Sequence, residues 1–247
     1  PNELVCRHCG EVISLPSKRY PETEVLAGEN ALGERVEYRY YLNRQRDAKH
    51  FLTGNLWMHH RRWITGQCVA IGKAWRGTGK PEYARRVAMV LDKAARLYPH
   101  YAALHNRHVD RVRFCKSQTP PYAWDAGRWG NFHNEIPRTL IRAYDLIYDS
   151  DIFDELSAEL GYDVRDRLEQ DFLLATYEAL VVNRYHVSIV FGYDITSAAM
   201  LGRVIGDPNI VHRAVGWMMQ NLDEGFFFDG TWHESASYHY MTLGGLR

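Results

Sequence analysis

The sequence of 247 residues contains no run of eighteen apolar residues, so it offers no helical membrane span. It has no excess charge either, with 30 Lys and Arg against 30 Asp and Glu. The overall balance therefore gives no pull toward nucleic acid or a membrane surface, and a charged partner must be met by a local patch. Lysine is scarce, at 6 residues against 24 arginines. The arginine fork matches carboxylate and sulfate-like oxygens with two hydrogen bonds, although a GC-rich coding bias produces the same skew. Cysteine is scarce too, and 46% hydrophobic residues suffice for one large domain or two small ones, which excludes a disulfide-stapled mini-protein and a disordered tail. The chain opens on Pro-Asn-Glu-Leu, without the basic-then-apolar stretch of a signal peptide. It stops at Arg247 within YMTLGGLR, without a polar, helix-ending tail, and more protein is expected to follow. No serine sits in a nucleophile elbow, and residues 77–80 (GTGK) lack the length and preceding strand of a phosphate-binding loop.

Aromatic residues and histidine are plentiful, with 16 Tyr, 9 Phe, 7 Trp and 12 His. Such a set either packs a core or stacks flat ligands and sugar rings in a groove. Cys6 and Cys9 form a CRHCG knuckle, the turn with which zinc ribbons present two thiolates to one metal. No second C-x-x-C exists, so a structural zinc at Cys6 and Cys9 needs His8, Cys68 or a distant histidine to close it. A redundant knuckle or a local disulfide is the competing reading.

Residues 1–50 mix turn formers with short alternating pieces such as 35–42 (RVEYRYYL), and read as an irregular or strand-like N-terminal arm. From Asn55 onward apolar residues recur at three and four spacing. Leu56, Trp63, Ile64, Cys68, Ile71 and Trp75 mark one helix, and Tyr83, Val87, Val90, Leu91 and Ala94 a second. The joint between them, 79–87 (GKPEYARRV), aligns without gaps on 206–214 (GDPNIVHRA). In both, glycine ends a helix in a left-handed cap, and proline opens the next where its missing N–H is harmless. A third joint lies at 147–153. Recurrent helical hairpins predict an all-α fold over residues 51–247, an incomplete (α/α) toroid of stacked antiparallel hairpins. Loops at the helix ends of such a stack gather on one face. His59, His60, Arg61 and Arg62, beside Trp57 and Trp63, read as a solvated helix face with an aromatic core.

Residues 129–145 (WGNFHNEIPRTLIRAYD), 77–99 (GTGKPEYARRVAMVLDKAARLYP) and 229–240 (DGTWHESASYHY) resemble the helical toroid of the heparinase II/III-like polysaccharide lyases, relatives of the alginate and chondroitin lyases. The CRHCG opening is similar to a knuckle near the start of that module. The resemblance covers roughly residues 50–247, and the ESASYHY stretch is its most specific motif.

The resemblance implies β-elimination at a uronic acid, hence a secreted or periplasmic enzyme acting on an acidic polysaccharide such as a glycosaminoglycan. It implies neither nucleic acid nor membrane as partner, admits an oligomer, and implies a β-rich domain following on the C-terminal side. A base must take the C5 proton, donors must neutralise the neighbouring carboxylate, and an acid must protonate the leaving O4. Tyr238 matches the family tyrosine as base and acid. Asn183 and His186 fall near the carboxylate-neutralising positions by spacing, although Arg184 and Tyr185 intervene where the family usually has adjacent polar residues. No metal or other cofactor enters the chemical step. Substrate-binding candidates are Trp129, His133, Asn134, Glu135 and Arg138 at the opening of an inner helix, with Trp232, Glu234 and His239 around the tyrosine. Asn131 or Asn134 as a helix cap, with Pro137 in the first turn, is the structural alternative for the first group. Two further readings stand beside the lyase. One is an inverting glycoside hydrolase pairing Glu135 with Glu234 or Asp229, and the other is a non-catalytic module that binds acidic sugars.

Overall fold

The computed structural model describes residues 2–29, 35–98, 136–182 and 191–245. They form two compact units, the first ending at Gln67 and the second beginning at Cys68.

In the first unit, β1 (Glu3–Val5) and β2 (Val12–Ser14) pair as an antiparallel hairpin with Val5 opposite Val12. The connecting loop is the cysteine knuckle. The Cys6 N–H donates to the Glu11 carbonyl at 2.8 Å and the Gly10 N–H to the Cys6 carbonyl at 2.8 Å. Gly10 takes a φ of 73°, a conformation in which a side chain would be strained. A second antiparallel sheet has the order β3 (Glu24–Glu29), β4 (Arg35–Asn43), β5 (Ala48–His50). Along β4, Tyr38 and Tyr40 turn inward while Glu37 and Arg39 face water, the period-two pattern of a half-covered strand. Tyr40 packs on Phe51 with ring centroids 5.4 Å apart, and Tyr41 lies over His50 at 6.0 Å. Of the two readings of the arm, irregular or strand-like, the structure shows the second: ordered antiparallel β-structure. The fold class is corrected from all-α to mostly helical with a small antiparallel sheet region.

Helix α1 (Leu52–Thr78) begins in this unit. The Glu22 carboxylate accepts from the Thr53 N–H at 3.1 Å and from the Thr53 hydroxyl, which satisfies a backbone donor that the first turn leaves open. From Cys68 onward, Cys68, Val69, Ile71 and Trp75 join the core of the second unit. The earlier half behaves differently. Trp57 is 69% exposed, Trp63 68% and Ile64 42%. The expected aromatic core on this stretch is thus corrected: Leu56 is buried, but Trp57, Trp63 and Ile64 are exposed, and the periodic face joins the large core only from Cys68 onward.

Within the second unit, α1 ends at the first Gly-x-Pro joint. The Gly79 N–H donates to the Trp75 carbonyl at 2.7 Å, Gly79 has φ 66°, and Pro81 starts α2 (Pro81–Leu97). Helices α3 (Arg138–Ile147) and α4 (Ile152–Leu160) follow, the latter closed by Gly161 at φ 75°. Next come α5 (Val164–Arg167), a π-helical stretch (Leu168–Leu174) and α6 (Ala175–Val182). Helices α7 (Phe191–Ile205) and α8 (Pro208–Gly225) meet at the second joint, where Gly206 has φ 78° and Pro208 starts α8. The last helix is α9 (Ala236–Gly245).

Helix α2 packs on α3, α4 and the π-helical stretch, α3 packs on α7, and α7 packs on α8 and α9. The core they enclose includes Val87, Leu91, Ile141, Tyr144, Phe153, Leu168, Phe172 and Leu201, all fully buried. Two groups of hydrogen-bonded polar side chains lie in it. Asp92 accepts from the Tyr162 hydroxyl at 2.5 Å and from Arg96 Nε at 2.9 Å. Tyr144 donates to Glu169 and receives Arg165 Nη1 at 3.0 Å. The Arg165 guanidinium also lies over the Phe153 ring, 4.6 Å from its centroid. Two solvent-facing ion pairs, Arg76 with Asp149 at 2.7 Å and Arg85 with Glu159 at 2.6 Å, tie elements together but, being open to water, add little stability.

The α7–α9 contact is backbone on backbone. A Cβ at Gly245 would stand 2.9 Å from the Tyr193 nitrogen, and one at Gly192 would stand 3.1 Å from the Thr242 carbonyl oxygen. The Thr196 hydroxyl donates to the Gly245 carbonyl at 3.0 Å across the same crossing. This close approach fixes the helix whose first turn carries Tyr238.

Candidate active site

The residues between α8 and α9 form a tight hairpin followed by a capped helix start. Phe226 and Trp232 pair as an antiparallel bridge, and the Phe227 N–H donates to the Thr231 carbonyl at 2.8 Å. At the apex, Asp229 Oδ1 accepts the Thr231 N–H at 2.9 Å and Gly230 adopts φ 80°. Aspartate followed by glycine supplies both the side-chain acceptor and the left-handed residue that such a turn needs. The Thr231 N–H holds the Asp229 carboxyl below its ordinary range.

Trp232 is the anchor. It is buried, packs edge-on against Phe226 at 5.2 Å, and donates its indole N–H to Glu234 Oε2 at 2.9 Å. Its backbone N–H donates to His239 Nδ1 at 3.3 Å. That nitrogen is then the acceptor, so a neutral His239 carries its proton on Nε2. His233 is fixed in the opposite sense. Its Nδ1 lies 2.9 Å from the Gly225 carbonyl, which can only accept, so His233 is protonated on Nδ1. Two differently oriented imidazoles thus flank one indole.

Helix α9 starts with a local cap in which Ser235 Oγ accepts the Tyr238 N–H at 3.3 Å and lies 3.1 Å from Ser237 Oγ. Tyr238 is half-buried. Among the described residues its hydroxyl has no hydrogen-bond partner, in contrast to Tyr144 and Tyr162, whose hydroxyls are committed to Glu169 and Asp92. Tyr240 is 77% exposed, and the His239 ring stands edge-on to it at 5.7 Å.

The structure therefore joins Trp232, Glu234 and His239 through hydrogen bonds, with Tyr238 beside His239 in the first turn of α9 and no described side-chain contact between its ring and the other three. Arg138 stands at the first turn of α3, and no described contact joins it to that cluster. Pro137 is the N-cap of α3 rather than a residue inside its first turn, and no side chain caps that helix among the described residues. Asn183, His186, Trp129, His133, Asn134 and Glu135 lie outside the described residues, as does Asn131. Asp229 is a turn-forming residue with its carboxylate engaged, and Glu234 is held by an indole. The Asp229 carboxyl, lowered by its hydrogen bonds, is not raised into the range of a general acid.

A separate cavity of about 390 Å³, without any signal in the sequence, is lined by Tyr177, Glu178, Val181, Asp207, Asn209, Ile210 and Arg213. It lies between α6 and the start of α8 and shares no residue with the Tyr238 cluster. At the knuckle, N–H groups of Cys9 and His8 and the Cys9 thiol lower the Cys6 thiol, whereas burial raises Cys68 to about 11. Among the described residues, no group of three or more His, Cys, Asp or Glu is placed to hold a metal. Comparison with protein-family models, curated proteins and solved structures returns no match for this chain.

Proposed function

We propose that the chain is a polysaccharide lyase of the helical-toroid type, cleaving a uronic-acid polysaccharide such as a glycosaminoglycan by β-elimination. The observation that carries this reading is the Tyr238 hydroxyl, free of any described partner at the start of a rigidly held helix. A phenol presented in this way is ready to exchange a proton with substrate. In the elimination, Tyr238 as its phenolate takes the proton from C5 and becomes the phenol, and the C5–H electron pair becomes the C4–C5 double bond. The C4–O4 bond breaks, and the leaving oxygen receives a proton from the same phenol. His239, with Nε2 carrying the proton, and the hairpin anchored by Trp232 line the position of the sugar. Neutralisation of the carboxylate by Asn183 and His186 and binding by Arg138 complete the proposal, together with a secreted or periplasmic location. Cys6 and Cys9 supply two of the four ligands that a structural zinc would take.

The test is Tyr238→Phe in the full chain, assayed by the ultraviolet absorbance of the unsaturated product on heparan sulfate, chondroitin sulfate, hyaluronan and alginate. Turnover is expected to fall at least roughly a hundredfold, with binding little changed. Near-normal turnover in Tyr238→Phe, with activity abolished by Glu234→Gln, would overturn the lyase in favour of a two-carboxylate hydrolase.

A further inference from the structure

The first half of α1 is an exposed face whose composition is unusual for surface. The helix of 27 residues contains no Asp or Glu. Between Leu56 and Cys68 it exposes Trp57, His59, His60, Arg62 and Trp63 together. At 3.6 residues per turn, His60 sits one turn from Trp57, and Trp63 one turn from both His59 and His60, so the five side chains form a continuous surface. The two indoles are separated by about 9 Å along the axis, from a rise of 1.5 Å per residue. Glu22, the acid that caps the helix start, is engaged by Thr53.

A partner for this face must be anionic and must present flat or apolar ring faces. We propose that it binds an acidic polysaccharide chain, with sugar rings stacked on Trp57 and Trp63. The Arg62 guanidinium bonds a carboxylate or sulfate, and the His59 and His60 ring N–H groups serve as further donors. The identity of the polymer rests on the lyase reading; the surface itself does not. A nucleic acid fits less well, because its affinity comes from many phosphate contacts made by a basic domain. Here a chain with 30 positive and 30 negative residues offers one short cationic face.

The experiment compares the full chain with a Trp57→Ala/Trp63→Ala double variant and with Arg62→Ala. Affinity is measured by calorimetry for size-fractionated heparan sulfate and alginate oligosaccharides and for single-stranded DNA of equal charge. Both indoles are exposed, so the circular-dichroism spectrum and urea midpoint should stay at wild-type values and report that folding is intact. The double variant is expected to bind the oligosaccharide at least about tenfold more weakly, and Arg62→Ala several-fold more weakly. An affinity changed less than twofold, or no binding of either polysaccharide by the wild type, would overturn the proposal. So would tighter, tryptophan-dependent binding of the DNA. If a polymer binds through Trp57 and Trp63 but none is cleaved, the lyase reading fails and the surface stands. If a polymer is cleaved while the double variant binds it as tightly as the wild type, the surface fails and the lyase reading stands.

Discussion

Replacing Gly245 by alanine places a methyl group where α7 and α9 touch backbone to backbone. The added carbon would lie 2.9 Å from the Tyr193 nitrogen and 3.0 Å from the Gly192 carbonyl carbon. Both neighbours are main chain in a helix, so neither can rotate away, and α9 must lift. Overpacking of this kind costs about 1–3 kcal/mol. Alanine recovers part of that through its better helix propensity, at most ~1 kcal/mol and less at a terminal position. A net loss of about 1–2 kcal/mol remains, and with a urea m-value near 2 kcal/mol/M it lowers the midpoint by roughly 0.5–1 M. Gly216→Ala is the control. That glycine is exposed within α8, and a Cβ there meets nothing within 4 Å, so the same substitution should stabilise by about 0.5–1 kcal/mol. Urea unfolding followed by far-ultraviolet circular dichroism reads both variants. A Gly245→Ala midpoint equal to or above wild type, beside the expected gain in Gly216→Ala, would refute the close crossing.

The Asn221 side chain is fully buried, with Oδ1 and Nδ2 both unpaired among the described residues, so Asn221→Leu, of similar volume, should raise stability by about 1 kcal/mol or more in the same assay. A loss of that size would mean that the amide has a partner. Burial pushes the Tyr98 phenol from 10.0 up to about 12. Its neutral form is favoured in the fold, so the stability it contributes is intact below about pH 10 and is lost as pH rises toward 12. Tyr98→Phe should reduce the alkaline fall of the urea midpoint, and an unchanged slope would contradict this. Cys6, lowered by its N–H donors, should be alkylated by iodoacetamide near neutral pH well before Cys68, which is buried and raised to about 11. Peptide mapping of the time course decides the order, and protection of Cys6 and Cys9 by added zinc would mark the knuckle as a metal ligand.

The helical joints were legible because their signal is local. Gly79 with Pro81, and Gly206 with Pro208, each state a left-handed stop and a proline start within three residues, and both occur as read. The turn at Asp229 and Gly230 has an equally local basis, an aspartate acceptor followed by a glycine at positive φ. What escaped was anything decided by distant partners. Periodicity placed Trp63 and Ile64 on the same face as Cys68, but it cannot tell which part of a long helix meets a core. The alternation at 35–42 was read as strand-like and lies in β4, but its pairing with β3 and β5, which makes it a sheet, was not legible because it depends on residues elsewhere. In the candidate site, Tyr238 and its neighbours stood out as a motif. The opposite proton positions of His233 and His239 depend on the Gly225 carbonyl and the Trp232 N–H, which no sequence pattern displays.

The π-helical stretch between α5 and α6 bears on how much change in length this fold tolerates. Among the buried residues in and around it, Val164, Leu168, Phe172 and Thr176 recur at steps of four, with Leu173 and Tyr177 buried beside them, and steps of four would drift around an α-helix of 3.6 residues per turn. The wider π turn takes up the surplus and keeps the stripe on the core. The segment thus acts as a buffer of chain length. An exposed residue such as Gln170 can be lost there at the expense of the wide turn alone, whereas the same deletion inside α7 would turn every later side chain of that helix by about 100°.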